Sequence, residues 1–164
     1  MKLQPMNRLA VVAVSLLICA AAIAPNAAMA DTKITHFGPG EVPQMVGVGK
    51  TPPFSAAVMA GDTLYVAGTT DGDAATGKPA PDATAGAKSV LDKIKHTVEA
   101  AGLTMDDLVW VQVFATDLGN FGAFNEVYRT YFKGPMPARA FIGAGSLLGG
   151  AHYEVMGIAV KPAK

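Results

Sequence analysis

The chain has 164 residues, of which 51% are hydrophobic and 16% charged, and its 13 basic and 13 acidic side chains cancel. Two of the basic residues, Lys2 and Arg8, lie in the first thirty positions, so the remainder carries a formal charge of −2. Nucleic-acid binding normally requires a basic patch that neutralises phosphates, so this charge and the scattered lysines argue against a nucleic-acid partner. The single cysteine, Cys19, also lies in the first segment, which excludes disulfides, thiol nucleophiles and thiolate metal ligands from the rest of the chain.

The first thirty residues have the order of a secretory signal peptide. A positive start is followed by an uncharged apolar run at residues 9–24, and Ala28-Met29-Ala30 matches an A-x-A cleavage site. A membrane anchor is the alternative, but the run is short for a span, which needs about 20 apolar residues. We therefore expect residues 1–30 to be removed from an exported protein, periplasmic or secreted, that has no stable membrane anchor.

The chain that follows has the length of one domain. Residues 31–52 are rich in glycine and proline, and we expect a partly flexible segment with a short edge strand there. The folded domain is predicted at residues 53–164. Its first secure strand is predicted at residues 54–58, and a Gly-Asp turn joins it to a second strand at residues 63–68. Gly68 ends that strand, where the backbone can approach a ligand or another strand closely.

A polar loop at residues 69–81 contains aspartates that raise the question of calcium. No glutamate closes an EF-hand loop there, so we predict no metal site. Asp82 then offers an N-cap for an amphipathic helix, and Gly102 is predicted to end the helix in a left-handed conformation. The buried stripe of this helix recurs at spacings of three and four residues. It consists of Ala87, Val90, Leu91, Ile94, Val98 and Ala101.

A β-branched and aromatic run at residues 108–116 predicts a central strand. Asp117 and Asn120 are candidate caps for a second helix, whose apolar face is interpreted as core. Two last strands are predicted at residues 139–145 and 153–160. The element order ββ-α-β-α-ββ predicts an α+β fold with two helices against one mixed sheet. The apolar face of the second helix consists of Phe121, Phe124, Val127, Tyr128 and Tyr131.

Arg139 and Glu154 are the candidates for a small site on neighbouring late strands. The arginine fork can grip a carboxylate through two hydrogen bonds, and the glutamate can handle a proton. An internal salt bridge, or two solvated charges at strand ends, is the alternative, since most charged residues are solvated and many ion pairs are structural. We expect the two side chains to share one cleft, with Phe54 and Phe141 near it.

Several short stretches occur in a characteristic order along the chain. They are Leu64-Tyr65-Val66-Ala67-Gly68, Ala100-Ala101-Gly102-Leu103, Val113-Phe114-Ala115-Thr116-Asp117-Leu118, Asn125-Glu126-Val127-Tyr128, Pro137-Ala138-Arg139 and the strand from Glu154. With these stretches the chain resembles the reactive intermediate deaminase (RidA/YjgF) family over residues 54–160. The resemblance implies a chorismate-mutase-like α+β fold and a homotrimer with active sites between subunits.

The resemblance also implies an activity. Many members of the family hydrolyse reactive enamines or imines, such as 2-aminoacrylate and 2-imino acids, to 2-keto acids and ammonia. By resemblance, Arg139 grips the substrate carboxylate and Glu154 positions or activates water, and no metal or organic cofactor is required. For Asn125 a structural role in the second helix is the alternative. The further substrate-binding candidates are Phe54, Gly68, Thr69, Asn125, Ala140 and Phe141.

Five positions depart from the family pattern. Phe54 stands where the family often has tyrosine, Ala67 where it often has serine, and Thr69 where it usually has glutamine. After the arginine, Ala140 stands where serine or threonine is common, and Phe141 stands where a small residue is common. The arginine is kept while its polar neighbours are lost. A non-catalytic trimer that binds small carboxylates is therefore the main alternative to a deaminase, and a ribonuclease or chaperone-like activity is less favoured.

Overall fold

The computed structural model describes residues 32–38, 53–73 and 75–163. The predicted signal peptide, and residues 39–52 of the predicted flexible segment, lie outside these ranges. Within the ranges the chain forms one sheet and two helices. In chain order the elements are β1 (Ile34–Phe37), β2 (Ala57–Ala60), β3 (Thr63–Thr70), α1 (Ala83–Ala100), β4 (Leu108–Ala115), α2 (Phe121–Arg129), β5 (Ala138–Gly143) and β6 (Tyr153–Val160). Neither of these two helices is long and apolar enough to cross a membrane.

The six strands form a mixed sheet in the order β1-β2-β3-β6-β4-β5. β4 and β5 run parallel, and every other neighbouring pair is antiparallel. α1 packs on β3 and β6 and against α2, and α2 reaches β5 through the contact of Phe124 with Phe141. Both helices therefore cover one face of the sheet, which confirms the predicted α+β fold.

α1 begins and ends where its sequence predicts. The Asp82 carboxylate accepts a hydrogen bond from the Ala85 backbone N at 2.8 Å, which satisfies one of the free N–H groups of the first turn. Gly102 lies at φ +78°, a left-handed conformation that favours glycine just beyond a helix end. Between these ends the apolar stripe is buried, as predicted, through Ala87, Val90, Leu91, Ile94 and Val98.

Several strand boundaries differ from the prediction by one to three residues, and two of them coincide with the end of a partner strand. β2 begins at Ala57 rather than at residue 54, since Ala57 pairs with Phe37, the last residue of β1. β5 ends at Gly143 rather than at residue 145, since Gly143 pairs with Ala115, the last residue of β4. β1 is an edge strand at Ile34–Phe37, and the later residues 46–49, for which the sequence predicts a short edge strand, lie outside the described ranges.

A short 3₁₀ turn at Leu118–Asn120 leads into α2. Asp117 caps this turn by accepting a hydrogen bond from the Gly119 backbone N at 2.8 Å. Asn120, the other candidate cap, makes no side-chain hydrogen bond to the first turn of α2. The cap predicted for the second helix therefore belongs to the turn before it.

The face of the sheet away from the helices carries exposed apolar side chains. Tyr65, Ile158 and Trp110 lie side by side across β3, β6 and β4, and Tyr65 is 51% and Trp110 37% exposed. Ile142 on β5 extends the same face and is 42% exposed. Contiguous exposed apolar side chains on a sheet face are typical of an association surface.

Candidate active site

Arg139 lies in an aromatic cage between β5 and α2. It pairs with Val111 of β4, whose side chain is buried under the helices, so Arg139 projects to the same face of the sheet. Its Nη2 donates a hydrogen bond to Asn125 Oδ1 at 2.6 Å. The guanidinium carbon lies 5.7 Å from the ring centroid of Phe121, 5.9 Å from that of Phe124, 4.5 Å from that of Tyr128 and 5.7 Å from that of Phe141.

The residue spacing of α2 builds this cage. Phe124 and Tyr128 are four positions apart, so they lie on one side of the helix, and their rings stack with centroids 5.8 Å apart. Phe124 also packs edge-on against Phe141 of β5 at 5.4 Å. The aromatic quadrupoles attract the cation and limit its rotamers, so the cage holds the planar Arg139 fork in one orientation.

A pocket of ≈250 Å³ opens beside the guanidinium. The hydrogen bond to Asn125 uses only one of the five N–H donors of Arg139. Burial lowers the pKa of Arg139, and the positive charge of Arg129 lowers this pKa further, but a guanidinium stays protonated in a protein. The pocket therefore presents a charged, oriented fork for which a carboxylate is the bidentate complement. Its lining residues are Asn125, Tyr128, Arg129, Met136, Pro137 and Arg139.

Glu154 occupies the other face of the sheet. Its neighbours Tyr153 and Val155 are buried under the helices, so the alternation of β6 turns the Glu154 side chain away from them. Its carboxylate lies over Gly68, where an added Cβ would overlap Oε1. None of the ion pairs found in the described part of the chain includes this carboxylate.

The prediction that Arg139 and Glu154 lie on neighbouring strands is wrong. β4 lies between β5 and β6, because β5 joins the sheet in parallel with β4 and the chain then crosses over β4 to reach β6. Arg139 is opposite Val111 and Glu154 is opposite Phe114, an offset of three residues, or about 10 Å along the strand. Since the two side chains also leave opposite faces, a single chain does not place them in one cleft or in an internal salt bridge.

Asn125 and Phe141 lie on the Arg139 side of the sheet. Asn125 holds the guanidinium directly, and Phe141 forms one wall of the cage. Phe54, which was expected near the site, precedes β2, is 45% exposed and is not among the described residues that line the pocket. The cage therefore uses rings from α2 and β5, and within one chain the phenylalanine near the first strand is not part of it.

Gly68 and Ala140 lie with Glu154 on the other face, whereas Thr69 pairs with Val155, whose side chain is buried under the helices. The pairing of β3 with β6 shifts register between Val66 and Thr69, and the Gly68 backbone lies in this irregular stretch beside the Glu154 carboxylate. Ala140 pairs with Gln112, one position away from Arg139, so its methyl group points away from the helices. Apart from Phe54 and Thr69, the predicted residues thus form two groups, one on the Arg139 face and one on the Glu154 face.

A buried polar cluster around Asp71 was not predicted. Asp71 follows β3 and is 1% exposed. Oδ1 accepts hydrogen bonds from the backbone N of His152 at 2.7 Å and of Tyr153 at 3.0 Å, and Oδ2 accepts from His152 Nδ1 at 2.9 Å and from the Ala80 backbone N at 3.3 Å. Asp71 therefore ties the chain after Gly68 to the start of β6, immediately before Glu154.

The Asp71 cluster is charged and well satisfied. Burial raises the pKa of Asp71, but the hydrogen bonds from His152 and the backbone outweigh burial and hold this pKa below its ordinary value. Lys93 of α1 donates to the backbone oxygens of Thr70 and Gly72, on either side of Asp71. Burial lowers the pKa of Lys93, and the charges of Asp71 and Asp73 oppose that change. These contacts position the Gly68 and Glu154 backbones relative to each other.

The arrangement suits anion binding on one face and proton transfer on the other. The cage around Arg139 can hold a small carboxylate, and the unpaired Glu154 carboxylate can accept or return a proton. In residues 32–38, 53–73 and 75–163, no group of three or more His, Cys, Asp or Glu side chains could hold a metal ion.

Fold and site together define a small α+β domain with a caged arginine beside an open pocket. The chain belongs to the Endoribonuclease L-PSP family, whose match spans residues 48–161 and thus well over half of the sequence. The resemblance to the RidA/YjgF family is confirmed by solved structures that carry those names.

Three of these similarities bear on function. The mouse (Mus musculus) 2-iminobutanoate/2-iminopropanoate deaminase is 34% identical over 110 residues, which is 66% of this chain and 82% of the mouse protein. RidA from the Antarctic bacterium Psychrobacter sp. PAMC 21119 matches with a TM-score of 0.68 and 32% identity, over 77% of this chain and 98% of that one. TdcF from E. coli, solved with bound serine, matches with a TM-score of 0.69 and 27% identity, over 78% of this chain and 99% of that one.

Proposed function

We propose that this protein is an enzyme that hydrolyses 2-imino acids, and their enamine tautomers, to 2-keto acids and ammonia. The observation that carries the proposal is the caged Arg139 guanidinium, which faces a pocket with free donors. The mouse relative is named for this reaction on two 2-imino acids. TdcF supports the class of ligand, since serine is a small molecule that carries a carboxylate.

The role of Arg139 is to orient the substrate. A bidentate guanidinium–carboxylate pair fixes both the position and the plane of the carboxylate, and with it the adjacent C=N carbon. An imine is already electrophilic, so orientation and a well-placed water supply most of what the reaction needs. Asn125 and the four rings contribute by keeping the fork in place before substrate arrives.

The role proposed for Glu154 is proton transfer. Water adds to the imine carbon, the nitrogen gains a proton, and the C–N bond of the resulting carbinolamine breaks to release ammonia and leave the keto group. A carboxylate within reach of that water can take its proton and return it to the departing nitrogen. Glu154 suits this role because no cation in the described part of the chain pairs with it.

If both residues serve one site, the site requires two chains. Arg139 and Glu154 leave opposite faces of the sheet, so a glutamate that reaches the Arg139 pocket must come from a neighbouring subunit. We therefore propose a homotrimer in which each site lies between two subunits. The exposed Tyr65 and Trp110 side chains support association through the open face.

A trimer that binds small carboxylates without catalysis is the second candidate. Ala140 and Phe54, which occupy positions where the family often has hydroxyl groups, favour this alternative because they remove partners for water. Binding without turnover would still use Arg139, whereas turnover also needs Glu154. The two candidates therefore differ in whether the Glu154→Gln variant loses an activity: a deaminase would lose imine hydrolysis, whereas a binding protein has no turnover to lose.

The decisive assay measures ammonia release from 2-imino acids that an amino-acid oxidase generates in situ. Purified protein is expected to accelerate release above the spontaneous rate, and Arg139→Ala is expected to abolish the acceleration. Lys95→Gln, which removes an exposed cation of α1, is the control and is expected to keep full activity. If no imino acid in the panel is consumed faster by intact oligomer, the deaminase proposal fails and the binding candidate replaces it.

Export remains part of the proposal. The order of a positive start, an apolar run and an A-x-A site supports cleavage after Ala30. Intact-mass measurement on the protein secreted by its native host should give a chain that begins at Asp31. A retained Met1 would contradict export by this route.

A further inference from the structure

A second arginine lines the pocket that holds Arg139. Arg129, at the end of α2, and Arg139, at the start of β5, are both lining residues. The two positive charges are close enough that Arg129 lowers the pKa of Arg139. Within one chain, a single carboxylate on the Arg139 fork would therefore leave the second charge of the pocket without a partner.

No acidic side chain among the described lining residues offsets these two charges. The other lining groups are an amide, a phenol and two apolar side chains, contributed by Asn125, Tyr128, Met136 and Pro137. Glu126 lies three positions before Arg129 on α2, but no ion pair between them occurs in the part of the chain that the structure describes. The Tyr128 phenol stays neutral, since burial raises its pKa to about 12. Within one chain, the described lining of the pocket therefore carries two positive charges and no counterion.

We propose that the pocket selects 2-imino acids with a second carboxylate, one carboxylate pairing with Arg139 and the other with Arg129. This inference rests on the proposed function and names its substrate class as dicarboxylic imino acids of four or five carbons. A pocket of ≈250 Å³ accommodates a molecule of that size. The apolar surfaces of Met136 and Pro137 fit the methylene groups between the two acids.

Arg129 also fits a structural role at the end of α2, and the experiment must distinguish that role from substrate binding. A cation in the last turn of a helix complements the negative end of the helix dipole, and Arg129 occupies that turn. Arg129→Lys preserves the charge at the helix end but loses the planar fork, whereas Arg129→Gln removes both. Lys133→Gln is the matched control, because it removes a cation just beyond the same helix end but outside the described pocket lining.

The test compares two imino acids of equal chain length, made in situ from glutamate and from norvaline. The wild-type protein is expected to favour the dicarboxylic imino acid in kcat/KM by about tenfold or more, as one additional charge-assisted interaction implies. Arg129→Gln should bring this ratio close to one, Arg129→Lys should give an intermediate ratio, and Lys133→Gln should keep the wild-type ratio. A wild-type protein that prefers the norvaline product, or a ratio that Arg129→Gln leaves unchanged, overturns the inference.

A binding measurement distinguishes failure of this inference from failure of the deaminase proposal. Calorimetry with 2-oxoglutarate and 2-oxopentanoate reports the same selectivity without any turnover. Tighter binding of the dicarboxylate that is lost in Arg129→Gln supports the two-arginine pocket even if no imine is hydrolysed. Equal binding of the two keto acids overturns the two-arginine pocket even if imines are hydrolysed.

Discussion

Arg139 and Glu154 project from opposite faces of one sheet, with β4 between their strands. Each has a setting suited to a different task. The guanidinium is held by Asn125 and aromatic rings, and the carboxylate lies over the backbone of Gly68 without an ion-pair partner in the described residues. A site that needs both groups must therefore be assembled from two chains.

Gly68 should control the position of the glutamate. A Cβ at this position would overlap Glu154 Oε1, so Gly68→Ala must displace the carboxylate. We expect a loss of roughly 10²-fold in kcat for imine hydrolysis, the lower end of the effect of losing a positioned acid–base group, with little change in keto-acid affinity. Gly122→Ala, where nothing lies within 4 Å of the added methyl group, is the control. Unchanged kcat in Gly68→Ala would argue that Glu154 takes no part in the reaction.

Asp71 should be a main stabilising group of the domain. Asp71→Asn replaces a carboxylate oxygen with a donor and leaves buried N–H groups without an acceptor, so we expect a loss of about 2–3 kcal/mol in the free energy of unfolding. Asp62→Asn removes an exposed carboxylate that carries no such network, and its effect should stay within about 0.5 kcal/mol. Denaturant titration measures both. Equal losses of unfolding free energy in the two variants would show that the Asp71 cluster stabilises the domain no more than an exposed carboxylate does.

The same cluster should make stability sensitive to acid. The pKa of Asp71 is lower in the folded protein than its ordinary value of 3.8, so its contribution is fully present at neutral pH and is lost as the pH falls through the folded-state pKa. Unfolding titrations from pH 7 down to about pH 3 should therefore show a steeper decline for the wild type than for Asp71→Asn. Parallel declines in the two proteins would contradict the attribution of acid sensitivity to Asp71.

Tyr128 and Tyr131 should respond oppositely to loss of the hydroxyl group. The buried Tyr128 hydroxyl has no hydrogen-bond partner among the described residues, so Tyr128→Phe should be neutral or stabilise by up to about 1 kcal/mol. The Tyr131 hydroxyl donates to Asp92 Oδ1 at 2.7 Å, so Tyr131→Phe should cost about 1 kcal/mol. Thermal unfolding of the two variants provides the comparison. A large destabilisation by Tyr128→Phe would show that its hydroxyl has a partner, for example from a neighbouring subunit.

Local patterns predicted most of the fold. Helix α1 is defined by a cap, a 3.6-residue stripe and a glycine stop, and strand β6 lies at the predicted residues 153–160. The strand order was not predictable from such signals. β5 pairs with β4 and not with β6, and this placement depends on a long connection and on the packing of α2. β5 and β6 are consecutive in the chain, but their adjacency in sequence does not make them neighbours in the sheet.

Local patterns likewise identify only part of the candidate site. Arg139 is identifiable from the sequence because a planar cation at the start of a strand is chemically distinctive. The pattern of α2 indicates only core packing, whereas its aromatic residues also form the wall of the Arg139 cage. Asp71 was missed because its partner His152 lies 81 positions away, and no spacing rule connects them. Arg129 gains significance only when the fold brings it to the pocket.

The central claim is that one site combines Arg139 from one subunit with Glu154 from another. Mixing tests it directly: Arg139→Ala and Glu154→Gln proteins, each inactive alone, are unfolded, combined in equal amounts and refolded into mixed oligomers. A shared site predicts that imine hydrolysis returns to about one quarter of the wild-type rate, because random assembly pairs an intact arginine with an intact glutamate in that fraction of interfaces. Mixed oligomers that remain inactive would contradict the claim.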